Sequence, residues 1–162
     1  MVAAITGGDG DYRSGACRID TPLPEGYPAP TPPEAIDLKT YPAVRRAVVR
    51  GERSPDSGMN RAFWPLFEHI KSHDIAMTSP VEMDYRDLSA GSDVEPKDWS
   101  MAFLYRTKDL NAAGREGRIE VEDAAPVTVL AVGMKGDYSM ELVRGGMETI
   151  EAWLAANPGW RA

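Results

Sequence analysis

The sequence predicts an α+β fold in which one strand-and-helix unit occurs twice. Apolar residues that alternate with polar ones predict strands, and apolar residues at positions i, i+3, i+4 and i+7 predict two helices. The order strand, strand, helix occurs in both halves of the chain, about 84 residues apart, which indicates an internal repeat. A length of 162 residues fits one domain with a core of its own.

Charge and cysteine content exclude several classes of protein. The net charge is −7, from 18 Lys and Arg against 25 Asp and Glu, and no basic stripe offsets it. Phosphate backbones repel such a chain, so we expect no nucleic-acid partner. Cys17 is the only cysteine, which excludes an internal disulfide and a thiolate metal cluster. No apolar run approaches transmembrane length and none resembles a signal peptide, so a cytoplasmic location is expected.

Residues 1–33 form the first region of the chain. Six of the thirteen prolines and a Gly-Gly-Asp-Gly run lie there, with almost no periodic apolar pattern. This composition predicts a flexible and dispensable arm, followed by a folded domain over residues 34–162.

The first repeat begins with two strands, over residues 36–39 and 43–50, separated by Tyr41-Pro42. A polar turn over residues 54–60 follows, with Asn60 as the expected N-cap of a helix. The apolar face of that helix consists of Phe63, Leu66, Phe67 and Ile70, and Pro65 predicts a kink. Residues 75–85 alternate as a strand that Ser79-Pro80 interrupts, and residues 101–106 form the next strand.

The second repeat contains strands over residues 118–122 and 127–134 and a helix over residues 138–156. Gly145 and Gly146 lie inside that helix and weaken the prediction that it is continuous. A shift of 84 places Pro42 on Pro126, and a shift of 83 places Ile36 on Ile119.

A family resemblance follows from residues 63–85, which read FWPLFEHIKSHDIAMTSPVEMDY. They resemble the signature of the SOUL heme-binding protein family, in which an apolar helix runs into an I-A-M-T-[AS]-P-V strand. The segments IDLKTYPAVRRAVV, SMAFLYR and VTVLAVGMKG resemble other strands of that family. The resemblance covers the chain from about residue 34 to its end.

This resemblance implies an antiparallel, barrel-like sheet made of two pseudo-twofold strand-strand-helix-strand-strand repeats. It also implies non-enzymatic binding of heme or another porphyrin. Family members continue after the second helix with two further strands. We therefore expect an incomplete second repeat here, with a dimer that lends strands as the fallback.

Candidate heme-contacting residues follow from that expectation. We expect apolar contacts from one helix and one strand, with propionates turned toward an arginine. The candidates are Met59, Phe63, Phe67, Met77 and Met83 for the ring, and Arg50 or Arg61 for the propionates, with Arg45 and Arg46 as further choices.

His69 and His73 are the only histidines, and their i, i+4 spacing places both on one helix face. Two ligands without a third do not make a metal site. They are therefore interpreted as solvated surface histidines, with axial heme or metal ligation as the alternative.

The competing function is a small-molecule sensor with the same fold and no role for heme. A cleft between two halves suits an apolar cation or a drug-like ligand, with Glu82, Asp84 or Glu141 as counter-charges. Because no catalytic motif is present, an enzyme is not expected.

Overall fold

The computed structural model describes residues 4–51, 54–89 and 91–160, and its fold is α+β. Ten strands and two helices occur among these residues. The strands are β1 (Thr6–Gly8), β2 (Asp11–Ser14), β3 (Cys17–Ile19), β4 (Ile36–Tyr41), β5 (Val44–Arg50), β6 (Val81–Tyr85), β7 (Trp99–Leu104), β8 (Gly114–Glu116), β9 (Ile119–Ala124) and β10 (Val127–Val132). The helices are α1 (Pro55–Ser72) and α2 (Met140–Ala156).

These strands form three antiparallel sheets, in the orders β1-β2-β3, β10-β4 and β6-β7-β5-β9-β8. The last two sheets are separate but have the same pairing register, because Tyr41 pairs with Val127 and Val44 pairs with Ala124. Pro42 and Pro126 lie in the gap between these pairs, and a proline has no N–H to give to a ladder. Consequently the described strands form no closed barrel, and the barrel-like sheet expected from the resemblance is wrong in that respect.

The main core lies between α1 and the five-stranded sheet. Leu66 and Ile70 of α1 are buried together with Ala47, Val49 and Phe103 of β5 and β7. Since neighbouring strand residues point to opposite faces, Arg46, Val48 and Arg50 lie on the face of β5 away from α1.

The first helix begins earlier than the sequence predicts. It begins at Pro55 with Ser54 as N-cap, so residues 54–60 are not a turn and Asn60 is not the cap. A proline in the first turn costs no hydrogen bond, and Asp56 there suits the helix dipole. The helix continues through Pro65 to Ser72.

The second helix lies within the predicted range. Ser139 accepts a hydrogen bond from the backbone N–H of Leu142 at 3.1 Å and caps the helix. Gly146 is buried against Val132 and Met134, so its lack of a side chain lets α2 approach the strand closely. Gly145 and Gly146 therefore do not interrupt α2, which is one continuous helix.

The N-terminal segment, defined here as residues 4–35, differs from the flexible arm that its prolines predict. It contains β1, β2 and β3 and then crosses the body of the fold. The backbone N–H of Ser79 donates to Pro22 at 2.9 Å, and that of Glu25 donates to Arg106 at 3.0 Å. Leu23 is only 5% exposed. Proline rings and isolated apolar residues supply this contact without any periodic pattern. Residues 1–3 lie outside the described part of the chain.

Among the described residues, neither helix combines the length and the apolar character needed to cross a bilayer.

Candidate functional site

A cavity of about 250 Å³ lies between the N-terminal segment and the sheet of β4 and β10. Its walls include Leu23, Tyr27 and Pro30 from the N-terminal segment, Lys39 and Tyr41 from β4, and Ala131 from β10. Ser79 and Pro80 close one side of it. Most of the cavity wall is therefore apolar. Its polar groups include Lys39 and Tyr41 from β4 and Tyr27 from the N-terminal segment.

Lys39 is the charged side chain of this cavity. It is only 6% exposed, and its Nζ donates a hydrogen bond to the carbonyl oxygen of Ala29. Among the described residues, no carboxylate oxygen lies within 4.0 Å of that Nζ. Burial lowers the pKa of Lys39, and the charge of Asp37 acts in the opposite direction. The cavity thus contains an amine that makes no ion pair with a carboxylate of the described residues, although the charge of Asp37 acts on it from a distance.

Two tyrosines lie beside this amine. The rings of Tyr27 and Tyr41 meet edge to face with centroids 4.9 Å apart. Burial raises the pKa of Tyr27 to about 12, and the charge of Glu82 adds to this effect. Burial also raises the pKa of Tyr41, together with the charge of Asp37. Both phenols are therefore neutral at physiological pH and can donate a hydrogen bond.

Arg46 forms ion pairs with two carboxylates, those of Glu82 and Glu122. Its guanidinium lies 2.8 Å from Glu122 and also contacts Glu82. Because Glu82 is occupied in this way, it does not present a free negative charge to a ligand. Asp84 lies 3.7 Å from Arg86, and Glu141 lies beside a different cavity next to α2. The three counter-charges predicted for a cationic ligand are therefore spread over separate places.

The residues predicted to contact heme lie elsewhere. Met59, Phe63, Met77 and Met83 are partly buried and pack together against the main core, on the α1 side of the sheet. Phe67 is 37% exposed and its ring stacks on Phe63 at 6.1 Å. None of these residues lines the cavity beside Lys39.

Arg50 and Arg61, the arginines predicted to contact the propionates, lie on different sides of the sheet. Arg61 is exposed on α1, whereas Arg50 lies on the face of β5 turned away from α1, 3.8 Å from Glu120. A heme on the α1 side could meet Arg61 but not Arg50 at the same rim. Heme binding by this group stays a prediction.

The two histidines differ from the solvated surface pair that the sequence suggests. The side chain of His69 is 1% exposed, and its Nε2 lies 2.9 Å from the buried hydroxyl of Tyr105. His73 lies at the end of the helix with its ring centroid 4.4 Å from that of His69. Glu116 of β8 comes within 3.1 Å of His69 Nδ1 and 3.6 Å of His73 Nε2. The fold therefore adds a third candidate ligand that the spacing of the histidines alone did not predict.

Lys39, Tyr27 and Glu116 were missed because their neighbours come from distant parts of the sequence. A lysine in a strand is ordinarily read as facing solvent. The one available signal was the apolar character of Leu23 and Tyr27 within an otherwise proline-rich region. No local pattern places Glu116 beside a helix more than forty residues earlier.

The chain matches no protein-family model and no curated protein. Its fold is similar to the crystal structure of the EcmrR C-terminal domain, with a TM-score of 0.58 and 19% identity over 76% of this chain and 75% of that one. It is also similar to EcmrR in the cryo-EM structure of the EcmrR–DNA complex in EcmrR-RPo, with a TM-score of 0.57 and 18% identity over 75% of this chain. The chain spans 44% of that EcmrR chain. At this identity the comparison shows a shared fold.

The prediction that nucleic acid is excluded as a partner is wrong. A protein that contains this fold, EcmrR, was solved in a complex with DNA. The prediction relied on the net charge of one chain. Net charge constrains nonspecific attraction by that chain, but it does not determine what a larger protein or assembly containing the same fold binds.

Proposed function

We propose that this chain binds a small organic anion in the cavity between the N-terminal segment and the sheet of β4 and β10. It would act there as a non-enzymatic sensor or binding domain. The observation that carries the proposal is Lys39, a buried amine that lines this cavity and forms no ion pair within the described part of the chain.

Burial of that amine carries an energetic cost. A buried charge destabilises a fold by several kcal/mol unless an opposite charge and hydrogen bonds compensate it. The contact of Lys39 with Ala29 uses one of three donors. A ligand carboxylate would supply the missing charge and accept the remaining hydrogen bonds, so binding would relieve a cost already present in the empty protein.

The size and walls of the cavity favour a compact, partly apolar ligand. An apolar cavity of about 150 Å³ is large enough for benzene. The present cavity, at about 250 Å³, accommodates one substituted ring. The edges of Tyr27 and Tyr41 suit an aromatic or alicyclic body.

Three ring compounds of similar size and different charge test this proposal: benzoate, benzyl alcohol and benzylamine. We expect benzoate to bind at least tenfold more tightly than benzyl alcohol, and benzylamine to bind most weakly, as measured by ligand-observed NMR titration. Lys39→Met should reduce benzoate binding at least tenfold and leave benzyl alcohol unchanged. Lys71→Met, on the exposed face of α1, is the matched control.

Equal binding of the three probes would contradict the assignment of an anionic ligand. Equal benzoate binding by the Lys39→Met protein would contradict the assignment of this cavity.

Heme binding remains a separate prediction with its own measurement. The expected site is the apolar group of Met59, Phe63, Met77 and Met83, not the cavity at Lys39. A hemin titration should give a stoichiometric shift of the Soret band if that site forms. Because the two sites share no residue, Lys39→Met should leave such a shift unchanged.

We also infer that the two halves derive from one duplicated unit. Ile36 and Ile119 begin β4 and β9, Val44 and Val127 begin β5 and β10, and both pairs of starting residues lie 83 residues apart. Each strand pair is followed by a helix, and Pro42 and Pro126 occupy the corresponding turns. The cavity lies beside the ladder in which these two units pair.

The structure of EcmrR with DNA supports one further part of the proposal, that this chain operates in a DNA-bound assembly. Ligand occupancy of the cavity would then change that assembly. Fluorescence anisotropy with labelled duplex DNA, in low salt and with and without benzoate, tests whether the chain itself contacts DNA. A salt-dependent rise in anisotropy is the expected result of direct contact, and its absence would assign DNA contact to another component.

A further inference from the structure

We propose that His69, His73 and Glu116 form a binding site for one divalent transition-metal ion of the zinc type. One ligand atom from each residue lies within 4.8 Å of the other two. The site is independent of the proposed anion cavity, because none of its residues lines that cavity.

The distances between the candidate ligand atoms are close to those of a tetrahedral site. Zinc bonds of about 2.0–2.1 Å to nitrogen place neighbouring ligand atoms about 3.4 Å apart. Here His69 Nδ1 and Glu116 Oε2 are 3.1 Å apart, and His73 Nε2 and the same Oε2 are 3.6 Å apart. The ligand nitrogens of the two histidines also lie within 4.8 Å of each other.

His69 supplies an independent observation that points to a ligand. Its side chain is 1% exposed, and its Nδ1 has no hydrogen-bond partner among the described residues although Glu116 is nearby. A buried polar atom without a partner is rare in folded proteins and costs about 1–3 kcal/mol. A metal ion bonded to the Nδ1 lone pair would satisfy this atom.

The second nitrogen of each ring is held as metal-binding histidines require. His69 Nε2 lies 2.9 Å from the hydroxyl of Tyr105, so its N–H can donate there and leave Nδ1 unprotonated. His73 Nδ1 lies 2.9 Å from the backbone carbonyl of His69, so its N–H can donate there and leave Nε2 free. These contacts allow both rings to adopt the tautomer that presents a lone pair to the site.

The composition of the site selects the class of metal. Two imidazole nitrogens and one carboxylate oxygen suit Zn²⁺ or Co²⁺, whereas Ca²⁺ and Mg²⁺ prefer a shell of oxygens. Three protein ligands leave one position for water or another ligand. The site also links the end of α1 to β8, the outer strand of the five-stranded sheet, so the metal would tie two elements together.

Metal titration of the tag-free protein tests the proposal. We expect Zn²⁺ to bind in a 1:1 ratio by isothermal titration calorimetry, and Co²⁺ to give the intense visible bands of four-coordinate cobalt. His73→Ala and Glu116→Gln should each weaken Zn²⁺ binding at least tenfold. Glu68→Gln, an exposed carboxylate on the same helix, is the matched control and should leave binding unchanged.

Circular dichroism should show that the His73 and Glu116 variants keep the fold, because the side chain of Glu116 is largely exposed and that of His73 is partly exposed. His69 is left unchanged since its burial makes loss of folding a competing explanation. Absence of 1:1 binding would overturn the proposal, and so would binding that survives both variants. Benzoate binding by the metal-free protein is unaffected by either result.

Discussion

Lys39 of β4 and Arg46 of β5 are both at least partly buried cations, but their partners differ. Arg46 is partly buried but lies between Glu82 and Glu122, so its charge is compensated within the protein. Lys39 is only 6% exposed, and its one hydrogen-bond partner among the described residues is the carbonyl oxygen of Ala29. Burial of an uncompensated charge usually destabilises a fold, and such groups are retained where they serve a function. The proposed anion binding therefore depends on Lys39, not on the arginines predicted from the sequence.

Ionisation of Tyr27 should lower the stability of the protein at alkaline pH. Burial raises the pKa of Tyr27 to about 12, whereas an unfolded tyrosine titrates near about 10. The unfolded state therefore loses its proton first, and the stability contributed by this phenol is full below pH 10 and lost as the pH rises toward 12. We expect the free energy of unfolding of the wild type to fall more steeply above pH 10 than that of Tyr27→Phe, measured by urea denaturation. Parallel pH profiles would show that Tyr27 ionises as freely as in the unfolded chain.

Gly133 lies at the contact between the end of β10 and the N-terminal segment. It follows β10 where the N-terminal segment crosses, and its N–H donates to Ala35 at 3.0 Å. A side-chain carbon at this position would overlap the carbonyl of Pro32. Gly133→Ala should therefore displace the N-terminal segment, lower the melting temperature by several degrees and weaken benzoate binding.

Gly145→Ala is the control for that substitution. A side-chain carbon there meets only Met134 at 3.9 Å, and alanine favours the helix by about 1 kcal/mol. This change should leave the melting temperature unchanged or raise it. If both variants melt like the wild type, the N-terminal segment is not held at Gly133.

The sequence predicted most regular elements but not what packs between them. The strands at Ile36 and Val44 and the helix ending at Ala156 were predicted because periodicity is a local property. The start of α1 was placed too late, because Ser54, Pro55 and Asp56 also suit a polar turn. The N-terminal segment was missed since its contacts at Ser79 and Arg106 are made by single residues without a repeating pattern.

The candidate site was harder to predict than the fold for the same reason. His69 and His73 were identified as a pair, but burial of His69 depends on Tyr105 and the approach of Glu116, both distant in sequence. Lys39 is likewise buried only because residues 27–30 cover it. Contacts between distant segments follow from topology, which local patterns do not specify.

At the scale of the whole molecule, the N-terminal segment and the sheets form one packed body. Burying a side chain such as Leu23 is worth about 1.5–3 kcal/mol, and the hydrogen bonds to Ser79 and Arg106 add to that. Deletion of residues 1–33 should therefore lower the melting temperature by at least about 5 °C, since 1 kcal/mol corresponds to about 2–4 °C at this length.

Leu23→Ala tests the same contact in the full chain and should cost about 2–5 kcal/mol in a urea melt. If the deletion leaves the melting temperature unchanged and Leu23→Ala leaves the urea melt unchanged, the N-terminal segment is the flexible arm that its proline content predicts.

A crystal structure of the full chain soaked with 4-iodobenzoate tests most directly whether an organic anion binds in the cavity beside Lys39. The anomalous signal of iodine would locate the ligand without reference to the protein coordinates. We expect one iodine peak in the cavity bounded by Tyr27, Lys39 and Tyr41, with the carboxylate within hydrogen-bonding distance of Lys39 Nζ. An iodine peak only at other positions, or an empty cavity at a ligand concentration that saturates the protein in solution, would contradict this expectation.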